Sequence, residues 1–252
     1  MSIEFLTFLK REIYRFMVLY KQTIIPALIS SLLYIVVFGT TLGTRISSIN
    51  GIAYINYIVP GLAMMSVINQ AYQNSASSIM QAKYLKFIED ILIAPLSGFE
   101  ISLGYIIGGA LRGMICGLGI LIICLFMTDL KIINFPLTIF YLLTVSWTFS
   151  AFGVIIGIYA RSWDEIGSFT NFVFMPMTFL GGVFYSLDML PEFWRNISYF
   201  NPIYWMINGL RYATLGVEEH SNLISLFLCF SFSCIFTILA SYLFKIGYKI
   251  KS

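Results

Sequence analysis

Six stretches of predominantly apolar residues divide this chain, at roughly 22–43, 53–75, 101–127, 135–160, 167–187 and 222–244. A helix rises about 1.5 Å per residue, so about 20 such residues match a hydrocarbon core about 30 Å thick. Backbone groups without water nearby must pair inside their own segment, which makes each stretch a helix. The short alternating segments of a membrane β-barrel are missing. Composition agrees: 59% of the 252 residues are hydrophobic and 11% charged, where a soluble domain has about half and about a quarter. The chain reads as an all-α polytopic membrane protein with six transmembrane helices, one domain over 1–252, with no repeat or linker. The first apolar run exceeds the length of a signal-peptide core, so no cleaved leader is expected.

Basic residues orient the spans. With the N-terminus in the cytoplasm, the inner side holds Lys10, Arg11, Arg15, Lys21, Lys83, Lys86, Arg161, Lys245, Lys249 and Lys251. The outer side holds only Arg45, Lys131, Arg195 and Arg211. Cytoplasmic loops carry the excess of Lys and Arg in membrane proteins. An even number of spans then returns the C-terminus to the cytoplasm, where its lysines also belong.

Three segments outside the spans carry their own patterns. In residues 3–20, Leu6, Leu9, Ile13, Phe16, Met17 and Tyr20 form a helical stripe, with Lys10, Arg11 and Arg15 mainly off it. This fits an interfacial amphipathic helix on an anionic leaflet; the plainer alternative is a basic flank that only sets topology. In residues 79–95, Tyr84, Phe87, Ile88, Ile91 and Leu92 fall on one helical face, with Lys83, Lys86, Glu89 and Asp90 around them and Pro95 after them. Such a helix either lies on lipid or docks into a groove of another protein. Residues 188–221 are rich in aromatics and broken by Pro191 and Pro202. They suit short re-entrant or interfacial helices, with Trp194 and Trp205 at headgroup level.

Catalytic signatures are missing. There is no phosphate-binding GxxxxGK[ST] loop, so the chain does not hydrolyse ATP by the usual route, and no HExxH or GxSxG. The single histidine, His220, stands beside Glu218 and Glu219. That is too few ligands for a metal, and a solvated loop is the plain expectation. Cys116, Cys124, Cys229 and Cys234 lie in apolar runs and read as small buried hydrophobes. No carboxylate falls at mid-depth; Glu100, at the entry of the third span, comes closest. Proton-coupled transporters keep such a group within the membrane, so an ion-coupled mechanism is disfavoured.

Arg112 is the exception among the charges, near the middle of the third span, at an insertion cost of about 2.5–3.5 kcal/mol or more. Gly104 and Gly108 are four apart, as are Gly109, Gly113 and Gly117, a spacing that lets helices approach closely. Arg112 either lines the route of an anionic or polar substrate or bonds carbonyls at a helix contact. Asn69, Gln70, Gln73 and Asn74 make a second polar set, in the second span. They either line a path or tie helices together.

One stretch is more specific. Phe179-Leu180-Gly181-Gly182-Val183-Phe184-Tyr185-Ser186-Leu187-Asp188-Met189-Leu190-Pro191, continuing through Asn201-Pro202 to Gly209-Leu210-Arg211-Tyr212, resembles the last third of ABC-2 type transporter permeases. Gly108-Gly109-Ala110-Leu111-Arg112-Gly113 is similar to the third span of bacterial members. The resemblance covers nearly the whole chain. It implies a non-enzymatic permease in the inner membrane of a bacterial cell that forms a homodimer and pairs with an ABC ATPase subunit, where ATP and Mg would bind; no cofactor is expected in this chain. It also implies that residues 79–95 are a coupling helix presenting Tyr84, Lys86, Phe87, Ile88, Ile91 and Leu92 to that ATPase. Residues 188–215 would form outer gate helices carrying Trp194, Asn201, Pro202, Trp205 and Arg211. Arg112, Asn69, Gln70 and Gln73 would line the path of an exported lipid, glycan or drug-like substrate. An ion-coupled secondary transporter and a non-transporting membrane assembly protein are the alternatives.

Overall fold

A computed structural model describes residues 2–247, and it is almost entirely helical. Lys249 and Lys251, counted above as inner charges, lie outside the described residues. Helix α1 (Ile3–Val18) starts at Ser2, whose side chain accepts from the Phe5 amide. It ends one residue before α2 (Tyr20–Thr41). A two-residue Asn50-Gly51 turn follows, both residues at positive φ, as a tight hairpin demands. It pairs Ser48–Ile49 (β1) antiparallel with Ile52–Ala53 (β2). Then come α3 (Tyr54–Tyr84), α4 (Ile88–Ile93), α5 (Gly98–Met127) and α6 (Phe135–Tyr159). The chain continues with α7 (Trp163–Phe169), α8 (Met175–Leu180), α9 (Glu192–Tyr199), α10 (Pro202–Leu215) and α11 (Asn222–Ile246).

Four of these helices, α2, α5, α6 and α11, are by themselves long and apolar enough to cross a membrane. Their bounds follow the expected spans within a few residues. The second expected span, 53–75, is part of the 31-residue α3. That helix continues through Asn69, Gln70, Gln73, Asn74, Ser75 and Ser78 to Tyr84, because these polar groups face neighbouring helices rather than lipid. The fifth expected span, 167–187, falls on a helical run over 163–180 that is π-wound in its middle. Between α7 and α8 the backbone opens into a π turn over Thr170–Phe174. Pro176 follows at once, and a proline removes one backbone donor and crowds the preceding turn. The segment then stops at Gly181 and Gly182, the latter at φ +75°.

Helix α3 is the axis of the bundle and packs on α5 and α6 along most of its length. The glycines of α5 make this possible. A Cβ on Gly109 would stand 2.2 Å from Ser75 Oγ and 2.4 Å from Ser150 Oγ, and one on Gly113 would stand 2.3 Å from Ser146 Oγ. At this range the serines bond across the helices. Ser75 and Ser150 share a 2.7 Å hydrogen bond, Ser146 Oγ donates to Ala110 O at 2.6 Å, and Ser150 Oγ donates to Ile106 O at 2.7 Å. On its other side α5 receives α1: Phe8 lies over Gly104 and the Glu12 Cβ over Gly108.

That docking uses a face of α1 that shares only Phe16 with the expected stripe. The buried face is Phe5, Phe8, Glu12 and Phe16. Of the expected stripe, Phe16 is buried, Leu9 and Ile13 are half-buried, and Leu6, Met17 and Tyr20 are exposed. The apolar stripe points mainly away from the protein, as it does when the surrounding phase is itself apolar. Cys234 likewise is exposed, whereas Cys116, Cys124 and Cys229 are buried and unpaired.

Candidate functional site

Polar groups collect at three levels of the bundle. The first is the end where α2 and α5 begin and α3, α6 and α11 finish. Helix α3 stops at Tyr84, and Lys86 takes φ +61° in the turn to α4. The continuous helix expected over 79–95 is therefore broken. The reason is geometric: a left-handed residue ends the hydrogen-bond ladder, so Tyr84 and Ile88 no longer share a face. Ile88 and Ile91 are buried with Phe8, Ile79, Ile101 and Tyr105, and Phe87 and Leu92 are half-buried beside them. Tyr84 (74% exposed), Leu85 and Ile93 (82%) protrude, with Lys86, Glu89 and Asp90 exposed among them. Lys83 Nζ donates to Ile158 O at 2.9 Å and Ala160 O at 2.8 Å, so it caps the last carbonyls of α6. Ser97 and Glu100 form a capping box at the start of α5.

Just above lies a carboxylate that sequence reasoning left on an amphipathic face. The Glu12 side chain is 1% exposed. Arg11 Nη2 approaches its Oε1 at 2.9 Å and Ser78 Oγ donates to its Oε2 at 2.6 Å. Arg15 Nε stands 3.7 Å from Oε2. Arg11 also stacks over Phe8 and over Phe87, 4.9 Å from the latter's ring centre, which ties α1 to the α3–α4 turn. Burial lowers the Arg15 pKa, and Glu12 opposes that shift.

The second level is the middle of α5. Arg15 Nη2 donates to Asn74 Oδ1 at 3.0 Å, and Arg112 Nη1 reaches the same oxygen at 3.5 Å. Arg112 Nη2 donates to Gln70 Oε1. One polar thread thus runs from Glu12 through Arg15 and Asn74 to Arg112 and Gln70. The other two expected path residues go elsewhere. Asn69 Nδ2 donates to Met65 O in its own helix, and Gln73 Nε2 donates to Thr170 Oγ1 in the π turn at 3.3 Å.

The third level is the opposite end of the bundle. Asn201 caps α10 through the Ile203 amide, and its Nδ2 donates to Met177 O at 2.6 Å. Pro202 takes the first helical position, where the missing donor costs nothing. Trp205 Nε1 donates to Tyr199 O at 2.9 Å. Trp194 is exposed on α9 against Phe193 and does not meet Trp205. Arg211, expected in the outer gate helices, lies on α10 and is fully buried. Its Nη2 donates to Gly182 O at 2.7 Å, its guanidinium lies 4.0 Å from the Tyr57 ring centre, and its Nη1 pairs with Glu219 Oε2 at 3.5 Å. Glu219 also accepts from Tyr57 Oη at 2.5 Å and from Asn50 Nδ2 at 3.2 Å.

His220, expected in a solvated loop, is held by the Tyr199 and Tyr204 hydroxyls. Burial pushes the Tyr204 phenol up, and Glu219 adds to that. Among the described residues no three potential ligands gather at a metal site.

A profile of the ABC-2 type transporter family matches residues 3–215, from α1 to the end of α10. The chain belongs to the ABC-2 type transporter family. This ABC-2 chain is 42% identical over 209 residues to the inner membrane transport permease YadH of Escherichia coli K12, covering 83% of this chain and 82% of that one. The Shigella flexneri protein of the same name matches equally. Nodulation protein J of Rhizobium leguminosarum bv. viciae is 22% identical over 195 residues, 77% of this chain and 75% of its own. The family match and the apolar helices together make this chain a membrane protein of the transport-permease class. Glu12, Glu219, Tyr57 and His220 are the site residues that sequence reasoning missed. The first carried one legible signal: it is the acid set among the three basic residues of α1, Lys10, Arg11 and Arg15.

Proposed function

We propose that this chain is the permease subunit of an exporter driven by a separate ABC ATPase, which moves a lipid, glycan or drug-like substrate outward from the cytoplasmic side. In this account α2, α3, α5, α6, the π-wound α7–α8 segment and α11 make six crossings of the inner membrane, with both termini in the cytoplasm. Family membership supports the partner ATPase and the pairing of two permease copies. The similarity to an inner membrane transport permease supports location and class. The lack of a phosphate-binding loop agrees, since the energy must come from another chain.

The observation that carries the coupling role is the tip of the α3–α4 turn. Tyr84, Leu85 and Ile93 are apolar side chains exposed at the end of the bundle that the basic residues assign to the cytoplasm. Exposed apolar groups rimmed by charge, here Lys86, Glu89 and Asp90, mark an interaction surface. Ile88 and Ile91 hold this tip to the permease, and Arg11 on Phe87 links it to α1 and the polar thread above. Glu12 is no proton relay here, because two guanidiniums and Ser78 occupy its oxygens.

The expected result is specific. In the complex with its ATPase, the double variant Tyr84→Asp with Ile93→Asp lowers permease-stimulated ATP hydrolysis at least about tenfold, equivalent to about 1.4 kcal/mol or more of activation free energy. It leaves the unfolding midpoint unchanged. Stimulation equal to the wild type in that double variant means that the tip is not the coupling surface.

A further inference from the structure

A groove of about 310 Å³ runs along the flank of α2. Gln22, Thr23, Pro26, Ser30 and Tyr34 form one wall, and Ser66, Asn69 and Gln70 of α3 form the other, with Arg112 at its floor. Arg112 is 8% exposed. Its bonds go to the neutral side-chain amides of Gln70 and Asn74. Among the described residues no carboxylate is paired with it, Glu12 being taken by Arg11, Arg15 and Ser78.

Three buried polar atoms of groove residues lack a hydrogen-bond partner: Arg112 Nε, Ser66 Oγ and Asn69 Oδ1. Buried groups of this kind are ordinarily satisfied, and the exceptions call for a reason. The cation needs an anion, the guanidinium and hydroxyl need acceptors, and the Asn69 oxygen needs a donor. A carboxylate supplies acceptors only, whereas the monoanion of a phosphate monoester supplies charge, acceptors and one P–OH donor. Further along α2 the exposed side chains are apolar. Leu33 and Val37 stand seven residues beyond Pro26 and Ser30, two turns along the same side of α2, and are 62% and 47% exposed.

We infer that this groove holds the head of an anionic, phosphate-bearing amphiphile, with Arg112 as counter-charge and the hydrocarbon chain lying along Leu33 and Val37. The inference rests on the permease account and names the substrate class for it. The groove runs from the cytoplasmic end of α2 to the mid-depth of Arg112, so the head would be taken from the inner leaflet.

The test uses the full chain in phosphatidylcholine nanodiscs without its ATPase, probed with radiolabelled dodecyl phosphate. Dodecylphosphocholine and inorganic phosphate are the competitors. Saturable binding is expected, at least about tenfold tighter than for dodecylphosphocholine. Arg112→Gln and Ser66→Leu should each weaken it at least about tenfold, the first by removing charge and the second by filling the groove, while Arg112→Lys, which keeps the charge but not the planar fork, should fall between the wild type and Arg112→Gln. Equal affinity for the zwitterionic analogue, or wild-type binding in Arg112→Gln, overturns the inference. If Arg112→Gln does not fold, Ser66→Leu decides by the same criterion. Displacement by inorganic phosphate at equal concentration overturns the amphiphile and leaves a free-anion site. Because no ATPase is present, a failure here leaves the coupling result standing, and a failed coupling test leaves this binding result standing.

Discussion

Arg211→Ala is expected to cost the fold about 3–5 kcal/mol, the range for breaking a buried ion pair from one side. The guanidinium is fully buried and the Glu219 side chain is 2% exposed. Removing the cation leaves that carboxylate with only Tyr57 and Asn50 as donors, and leaves Gly182 O without its 2.7 Å partner. The loss would not stay local. Arg211 joins α10 to the Gly181–Gly182 turn after α8, to α3 through Tyr57, and to the hairpin through Glu219 and Asn50. The charge alone is not the requirement, since a neutral pair of similar volume can replace a buried ion pair at little cost. Arg211→Met combined with Glu219→Gln should therefore recover most of the loss. Unfolding midpoints of the detergent-solubilised protein, taken at one scan rate, check this. The order expected is wild type, then the double variant, then Arg211→Ala well below. A double variant no better than Arg211→Ala would show that Arg211 acts through something other than Glu219.

Glu12→Ala is expected to cost about 3 kcal/mol, at the lower end of the same range. Its partners keep some water: the Arg11 and Arg15 side chains are 42% and 21% exposed. The variant leaves Ser78 Oγ unpaired and Arg15 with Asn74 alone, while the Cβ contact with Gly108 stays. Glu12→Gln retains an acceptor for Ser78 and should lose less. The diagnostic difference from Arg211→Ala is where the damage appears. Loss of Glu12 should free α1 first, seen as protease cleavage within residues 3–18 under conditions where the rest of the chain is resistant. Cleavage unchanged from the wild type would mean that Phe5, Phe8 and Phe16 alone hold the helix in place.

These two acids also show where the sequence was legible and where it was not. Hydropathy alone located α2, α5, α6 and α11, because lipid-facing helices must be apolar on most of their surface. The four-residue glycine spacing on α5 was equally readable, since close approach needs small residues whatever they meet. The inner face of α1 was not readable. In water an apolar stripe marks the side that packs, but against lipid Leu6, Met17 and Tyr20 can face outward while Phe5, Phe8 and Glu12 face the protein. Helix α3 ran past its expected end because the Asn74 oxygen, Ser75 and Ser78 bond to α1, α5 and α6, which hydropathy does not see. Pro176 was visible, yet its consequence, a π turn and a helix that stops at Gly181, depends on the neighbours it packs against. The Arg211–Glu219 pair joins residues on α10 and in a loop, a relation without a period. The α3–α4 turn is the most instructive case, because of its five expected apolar residues Tyr84 is exposed, Phe87 and Leu92 are half-buried, and Ile88 and Ile91 are turned inward. Ile88 and Ile91 hold the tip in place, and Tyr84 and Ile93 present it.

The central claim is that another chain's ATP hydrolysis drives outward movement through this one. Inverted membrane vesicles containing the permease and its ATPase test it directly, with a radiolabelled extract of the cell's own lipids, glycans and metabolites supplied outside. Accumulation of at least one labelled component in the lumen is predicted with MgATP, persisting when proton and sodium gradients are collapsed, and lost with a non-hydrolysable ATP analogue. Accumulation that follows an ion gradient and ignores ATP, or none of any component under any condition, would contradict the account.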